Sequence, residues 1–385
     1  LDRLFFFAAS LVVLLVVTTA EAQSPYVVRA SSEMAEYGDT DHVFITTPSI
    51  SGSIAKPTAG WTVNGSYLVD VVSAASVDIV STASRRWTEV RQAGALDATY
   101  KPGTFGVTVS GGVSDEPDYL SLSAGAIFTQ DLMDKNLTLL AGYGHARDVA
   151  GRTGTSFSVF SHTIQTDSVQ AGATLVLDRR TVGSAVVDGA FVNGDTSKPY
   201  RYIPLFAPGT YVPVGASIDL VNALRVSERP LEQVPTTRNR YAVTLRLAHR
   251  FHSSTTRLEM RLYDDTWGQL AETTDARQIF DVSRRIELGP HLRLNDQSAV
   301  NFWQRAYTFG PGYNYPTYRT GDRELGPLAS FTVGGAGRWG IGPALEPMKW
   351  SLGLDVEATY SRFLDDLYLT SRTSVLGALS ITGEL

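Results

Sequence analysis

The chain has 385 residues, a formal charge of -6, 43% hydrophobic residues and no cysteine. That length would serve two or three ordinary domains, yet no Pro/Ser-rich linker or change of composition divides it, so one large architecture is expected. Beyond Leu4–Val17 no uninterrupted apolar run occurs, which excludes a helical membrane protein but not a β-barrel, whose strands conceal their hydrophobicity in alternation.

The N-terminus reads as an export signal. Arg3 precedes the apolar run Leu4–Val17, and Ala20-Glu21-Ala22 supplies a small-residue cleavage site, so residues 1–22 are expected to be removed before Gln23. Residues 23–60 are polar and turn-rich with one β-prone stretch at Val43–Thr46. They are expected to be a periplasmic tail, a plug or an extra strand.

From Trp61 to Leu385 the sequence repeats one unit. In Trp61–Ser73 the odd positions Trp61, Val63, Tyr67, Val69 and Val71 alternate with Thr62, Asn64, Ser66 and Asp70, which is the period of a strand with two unlike faces. After a loop through Val77-Asp78-Ile79, the same pattern runs over Thr88–Tyr100, turns at Lys101-Pro102-Gly103 and continues over Phe105–Ser114 to an acidic tip at Asp115–Asp118. Further apolar rows follow at Leu120–Phe128, Leu137–Tyr143, Val169–Leu177 and Ala185–Phe191, the last two joined by Asp178-Arg179-Arg180. Residues 193–237 form the longest insertion and are expected to fold over or into the mouth of the barrel. Rows at Tyr241–Leu247 and Leu258–Leu262 meet across His252-Ser253-Ser254. Rows at Phe280–Ile286 and Leu292–Phe302 are expected to meet across Gly289-Pro290. An aromatic loop around Tyr307–Tyr318 precedes rows at Leu325–Val333, Trp350–Tyr360 and Leu379–Leu385, with Gly334-Gly335-Ala336-Gly337 read as a strand entering a turn.

A soluble β-sandwich also alternates. Segments of roughly ten residues, with connections alternately short and long to the last residue, instead predict an all-β transmembrane antiparallel barrel of about 14 strands, 12 or 16 being the alternatives, with short periplasmic turns and long extracellular loops. Aromatics near the row ends (Trp61, Tyr100, Phe105, Phe128, Phe191, Phe251, Trp350, Tyr360) fit the girdles of two membrane interfaces. A barrel of this count is wider than those that side chains fill and narrower than open porins, so a blocked or gated lumen is expected.

Six motifs carry a family resemblance: Asp70–Ser76 (DVVSAAS), Ser114–Ser121 (SDEPDYLS), Asn193–Arg201 (NGDTSKPYR), Glu228–Arg240 (ERPLEQVPTTRNR), Tyr263–Gly268 (YDDTWG) and Asn295–Trp303 (NDQSAVNFW). Their order and spacing over about Val43–Leu385 resemble the uncharacterised bacterial family catalogued as domain of unknown function 3570. Ala74 stands where the family has glycine, and Tyr263 where it has an aromatic pair. The resemblance implies an outer-membrane β-barrel and supplies neither activity nor catalytic residues.

The polar face becomes charge-dense in the second half, placing Arg246, Arg250, Arg257, Glu259, Arg261, Asp265, Asp281, Arg285, Glu287, Arg293, Asp355 and Glu357 toward the lumen. Interleaved signs predict cross-strand ion pairs that fix the wall. The functional reading of the same residues is a bias toward anions. The chain is thus expected to be a passive or gated channel for small polar or anionic solutes in the bacterial outer membrane, the alternative being a non-conducting barrel that scaffolds an envelope assembly. No enzymatic activity, cofactor or metal is expected. The single rim-enzyme candidate is His145 near Asp148 with Ser158 or Ser161, and His249 and His252 are too badly placed to share a metal. Acidic tips such as Asp115, Glu116 and Asp118, or Asp264 and Asp265, are the places where Ca²⁺ would bind, although such tips are commonly just solvated. Expected partners are outer-membrane lipid and lipopolysaccharide, the barrel-assembly machinery and an envelope or surface protein. Nucleic acid is not among them.

Overall fold

A computed structural model describes residues 25–74, 87–341 and 349–385. Residues 1–22, read above as an export signal, and the loop through Val77-Asp78-Ile79 lie outside the described residues. Sixteen antiparallel strands close on themselves: β1 Val27–Asp39, β2 Val43–Lys56, β3 Trp61–Ala74, β4 Trp87–Tyr100, β5 Phe105–Glu116, β6 Tyr119–Leu132, β7 Leu137–Ala150, β8 His162–Asp178, β9 Thr181–Asn193, β10 Thr237–Arg250, β11 Ser254–Asp265, β12 Leu270–Ser283, β13 Ile286–Gln297, β14 Leu328–Ile341, β15 Lys349–Phe363 and β16 Ser371–Glu384. Each strand pairs with its neighbours in sequence, and β1 pairs with β16, from Arg29 opposite Glu384 to Asp39 opposite Ser374. Closure leaves no sheet edge, as lipid requires of any spanning sheet.

The count is sixteen rather than fourteen because residues 27–56 supply two strands. Their outward positions explain why the pattern is faint: β1 presents Val28, Ala30, Ser32, Met34 and Glu36, a row nearly without large apolar side chains. In β2 the pairing with β3 lapses between Thr46 and Ser49, around Pro48, which has no N–H to give. The turn expected at Gly289-Pro290 is instead Arg284-Arg285. Gly289 and Pro290 lie inside β13, where they pair with β14 but leave a gap in the ladder to β12. Phe302 consequently falls in a loop and not on a strand. Gly334–Gly337 enter no turn and sit in the middle of β14.

The outward rows remain exposed around the whole circumference: Leu96 is 61% exposed, Val187 56% and Leu379 56%. No soluble protein presents an apolar belt of that extent to water, and lipid is the solvent that suits it. Aromatics edge the belt at both rims. Phe105 stacks on Phe128 at 6.3 Å at one, and Phe191 meets Tyr241 edge-on at 6.1 Å at the other. The start of β1 and the end of β16 lie on the side with the short turns, the periplasmic side of an outer-membrane-type barrel. No helix among the described residues is long and apolar enough to cross a membrane.

The buried apolar clusters lie in the extracellular loops, not between the strands. The β9–β10 loop carries a short strand Leu205–Phe206 and the helix α1, Ile218–Leu224, which Ser217 caps by accepting the N–H of Leu220. Phe206, Val212, Ala216 and Val221 pack on Leu367 of the β15–β16 loop, while Ile203 and Leu205 pack on Tyr307 of the β13–β14 loop. Leu205–Phe206 also pairs in parallel with Tyr307–Thr308.

Candidate functional site: a paired lumen wall under a capped mouth

Alternation places the predicted charged residues. On β10 the exposed Tyr241, Val243, Leu245 and Leu247 face lipid, so Arg238, Arg240, Arg246 and Arg250 face inward. Arg246 donates Nε–H to Glu259 on β11 at 2.5 Å, and Arg250 pairs with Asp281 at the periplasmic end of β12. Arg261 makes a bidentate pair with Asp188 of β9, both contacts at 2.9 Å. Arg293 reaches Asp275 at 2.9 Å. Arg257 stands opposite Arg277, Glu287 between Asp281 and Arg338, and Asp355 opposite Ala336 and Ala378. Arg285 is one exception: it belongs to the Arg284-Arg285 turn, where its carbonyl accepts the N–H of Gly340, and it lies off the wall strands.

The centre of this wall is a residue that sequence reasoning missed. His291 is 7% exposed, with Nε2 2.7 Å from Asp275 and Nδ1 2.7 Å from Glu357. Glu357 lies two strands away, and Gly334 stands between them in register with both. A Cβ at Gly334 would fall 2.6 Å from the Val356 carbonyl and 2.7 Å from Glu357 Cγ. The bare backbone is therefore what lets a β13 imidazole and a β15 carboxylate meet across β14. Asp188, Asp275 and Arg277 were missed as well: Asp188 sits singly in an apolar stretch, and the partners of Asp275 on the next strand, His291 and Arg293, are given only by the register.

The opposite wall is built differently. From β5 to β8 most inward positions in the middle of the strands are small or hydroxylated, among them Thr108, Ser110, Ser123, Gly125, Gly144 and Ser168. Sixteen strands put the barrel in the class wide enough to leave an aqueous channel, wider than expected from a count of fourteen.

A cap crosses the extracellular mouth. From the β9–β10 loop, Tyr200 donates to Asp118 of the β5–β6 turn at 3.0 Å, while the N–H groups of Gly215 and Ala216 bond to Asp366 and Leu367 between β15 and β16. Those two footholds are separated by β16 and β1–β5 on the shorter way round, close to opposite sides of the rim. Glu232 is the hub of the cap, accepting Thr320 Oγ1–H at 2.6 Å and the Lys198 N–H at 2.8 Å, with Arg201 at 3.1 Å. Burial by itself would raise the Asp322 carboxyl, but Arg201 at 2.9 Å, the N–H of Glu324 and the nearby Lys198 outweigh it and hold the group below the usual range. Burial pushes the Tyr307 phenol up to about 12.

Asp265, predicted for the wall, anchors the cap at the rim. Its carboxylate is wholly buried and accepts from Arg238 Nε at 2.8 Å, Tyr263 Oη at 2.7 Å and the N–H groups of Trp267 and Gln269 at 2.8 and 3.1 Å. Arg238 lies 4.3 Å over the Trp267 ring, and that ring packs against Val234 and Val300. Gly268 makes the turn at φ +84°, where a Cβ would strike the Asn301 side chain at 2.4 Å. All six motifs named from the sequence thus have residues at this end of the barrel.

The rim-enzyme residues do not assemble. His145 pairs at 2.9 Å with Asp167 on the outer face, Asp148 is on the opposite face of β7, and Ser161 donates to the Phe157 carbonyl. His249 Nδ1 is engaged with Thr181 Oγ1 at 2.8 Å, away from His252 in the turn.

No protein of curated function matches the sequence. Among solved structures, CdiB from Acinetobacter baumannii superposes with a TM-score of 0.50 at 9% identity, covering 92% of this chain and 60% of CdiB. The chain therefore spans about three fifths of that relative, and the likeness is one of barrel fold. OccK5 (OpdH) of Pseudomonas aeruginosa gives a TM-score of 0.43 at 8% identity, covering 94% of this chain and 98% of that one. The CymD monoaromatic hydrocarbon channel gives 0.43 at 8%, covering 94% and 88%. The family described as protein of unknown function (DUF3570) matches residues 41–342, well over half of the sequence, and the chain belongs to that family.

Proposed function

We propose that the protein is a loop-constricted outer-membrane channel for small polar solutes, with anions favoured. The observation that carries this reading is a belt of two adjacent inward rows, Arg246-Glu259-Asp275-Arg293 and Arg257-Arg277-His291-Glu357, facing a wall of small hydroxylated residues. The belt holds four arginines against three carboxylates, and Arg257 makes no ion pair among the described residues. Pore selectivity follows such rings of charge.

Planar-bilayer recording of the refolded chain tests it. Discrete conductance steps are expected, larger when residues 196–235 are replaced by a short turn, with a reversal potential of anionic sign that Arg257→Gln and Arg277→Gln diminish. Silence of both the full chain and the cap-deleted variant over a wide voltage range overturns the reading. The apolar packing of the cap favours a second one, a closed barrel that holds an envelope or surface protein. On that reading no current flows with or without the cap, and a cross-linked partner disappears when residues 196–235 are removed.

A further inference from the structure

We propose that Glu89, Glu116 and Asp118 form a divalent-cation site at the extracellular rim, selective for Ca²⁺ over Mg²⁺. Glu89 and Glu116 are inward positions near the extracellular ends of β4 and β5, and Asp118 is in the two-residue β5–β6 turn. One oxygen from each of the three carboxylates lies within 4.8 Å of the others. Ca²⁺ takes about six to eight oxygens in flexible geometry and suits a set of three protein carboxylates, whereas Mg²⁺ dehydrates reluctantly, keeps several waters and is held through one or two carboxylates.

Glu89 points to a ligand independently of the clustering. It is 6% exposed, and its Oε1 is buried with no hydrogen-bond partner among the described residues. A buried carboxylate oxygen without a donor is a costly arrangement in a native protein, and an ion is one of the few things that satisfies it. Local cations do not supply the missing charge in full. Among the described residues, Arg91 is committed to Asp70 at 2.5 Å, which leaves Lys198 on the β9–β10 loop as the other basic group whose field reaches the cluster. Three carboxylates are a hard, all-oxygen donor set, which suits Ca²⁺ and Mg²⁺ and not the softer transition metals.

The geometry around Asp118 says what binding does. Its Oδ2 accepts from Tyr200 Oη at 3.0 Å and from Thr153 Oγ1 at 3.1 Å, leaving Oδ1 for the ion. An ion held by Glu89, Glu116 and Asp118 therefore ties β4 to the β5–β6 turn and fixes the acceptor on which the β7–β8 loop and the cap both rest. This holds whether or not the lumen conducts.

The test is calorimetric titration of the refolded full chain, stripped with chelator, with CaCl₂ and separately with MgCl₂. One Ca²⁺ per barrel is expected, with a Kd between about 10⁻⁶ and 10⁻³ M and Mg²⁺ at least about tenfold weaker. Glu89→Gln is expected to weaken Ca²⁺ by about tenfold or more, while Asp134→Asn, in the exposed β6–β7 turn at the other end of the barrel, leaves it unchanged. Absence of saturable Ca²⁺ binding below about 10 mM overturns the proposal, as does a Glu89→Gln protein that binds like the parent, or Mg²⁺ binding equal to Ca²⁺. Should Glu89→Gln not refold, as judged by the boiling-dependent gel shift of barrels, the parent supplies the second measurement. Ca²⁺ is then expected to slow tryptic cleavage after Arg201 relative to chelator, and equal rates overturn the proposal.

Discussion

Replacing Asp265 by alanine should cost far more than removing a carboxylate from the lumen wall. The Asp265 side chain is 0% exposed and its partner Arg238 11%, whereas Arg246 and Glu259 are 52% and 39% exposed. Breaking a buried pair leaves an uncompensated charge and costs about 3–5 kcal/mol, while a wet pair contributes about 0–1 kcal/mol. In Asp265→Ala the Arg238 guanidinium keeps Gln269 Oε1 at 2.9 Å as its one hydrogen-bond acceptor, besides the Trp267 ring beneath it, and the N–H groups of Trp267 and Gln269 and the Tyr263 hydroxyl lose their acceptor. Water entering the rim recovers part of that loss, so about 3–5 kcal/mol is the expected total and not a sum of separate penalties. Asp265→Asn retains an oxygen for the two N–H groups but loses the charge, and should fall between alanine and the parent. Urea unfolding in lipid vesicles, followed by tryptophan fluorescence, measures all of these beside Glu259→Ala. An Asp265→Ala variant within about 1 kcal/mol of Glu259→Ala would refute the argument from burial.

Two further outcomes are expected. Gly334→Ala forces a Cβ against the Val356 carbonyl and parts His291 from Glu357, destabilising the barrel by about 1–3 kcal/mol in the same assay, whereas Gly377→Ala, whose Cβ meets nothing within 4 Å, leaves it unchanged. Burial raises the Asp366 carboxyl in the β15–β16 loop, so the folded cap binds the extra proton and its stability falls as pH rises from about 4 through the raised value. Asp366→Asn keeps an oxygen to accept the N–H groups of Tyr368 and Leu369, at 2.9 and 2.7 Å, and removes the charge. Hydrogen exchange over residues 364–370 should therefore be slower than in the parent at neutral pH, with the difference gone below about pH 4. Equal or faster exchange in the variant at neutral pH contradicts the assignment.

Alternation, repeated in segments of roughly ten residues with connections alternately short and long, decided the class of this protein. A strand has only two faces, so Val107, Val109 and Val113 set against Thr108, Ser110 and Ser114 already require one oily and one wet environment, and repetition of the unit requires a closed wall. The same logic placed Arg246, Glu259, Arg261 and Arg293 on the inner face before any contact was known. It failed where the outward row was short of large apolar side chains and broken by polar ones, as in Val28-Ala30-Ser32-Met34-Glu36, and where a proline imitated a turn at Pro290. Partners were beyond its reach, because a strand pattern fixes a residue's face but not its register against strands distant in sequence. Asp188 finds Arg261 across 73 positions, and His291 finds Glu357 across Gly334. The cap was legible only as a long insertion. That it reaches from Asp118 to Leu367, and that Asp265 anchors the rim instead of lining the pore, follows from closure of the sheet, which brings loops far apart in the chain over one mouth.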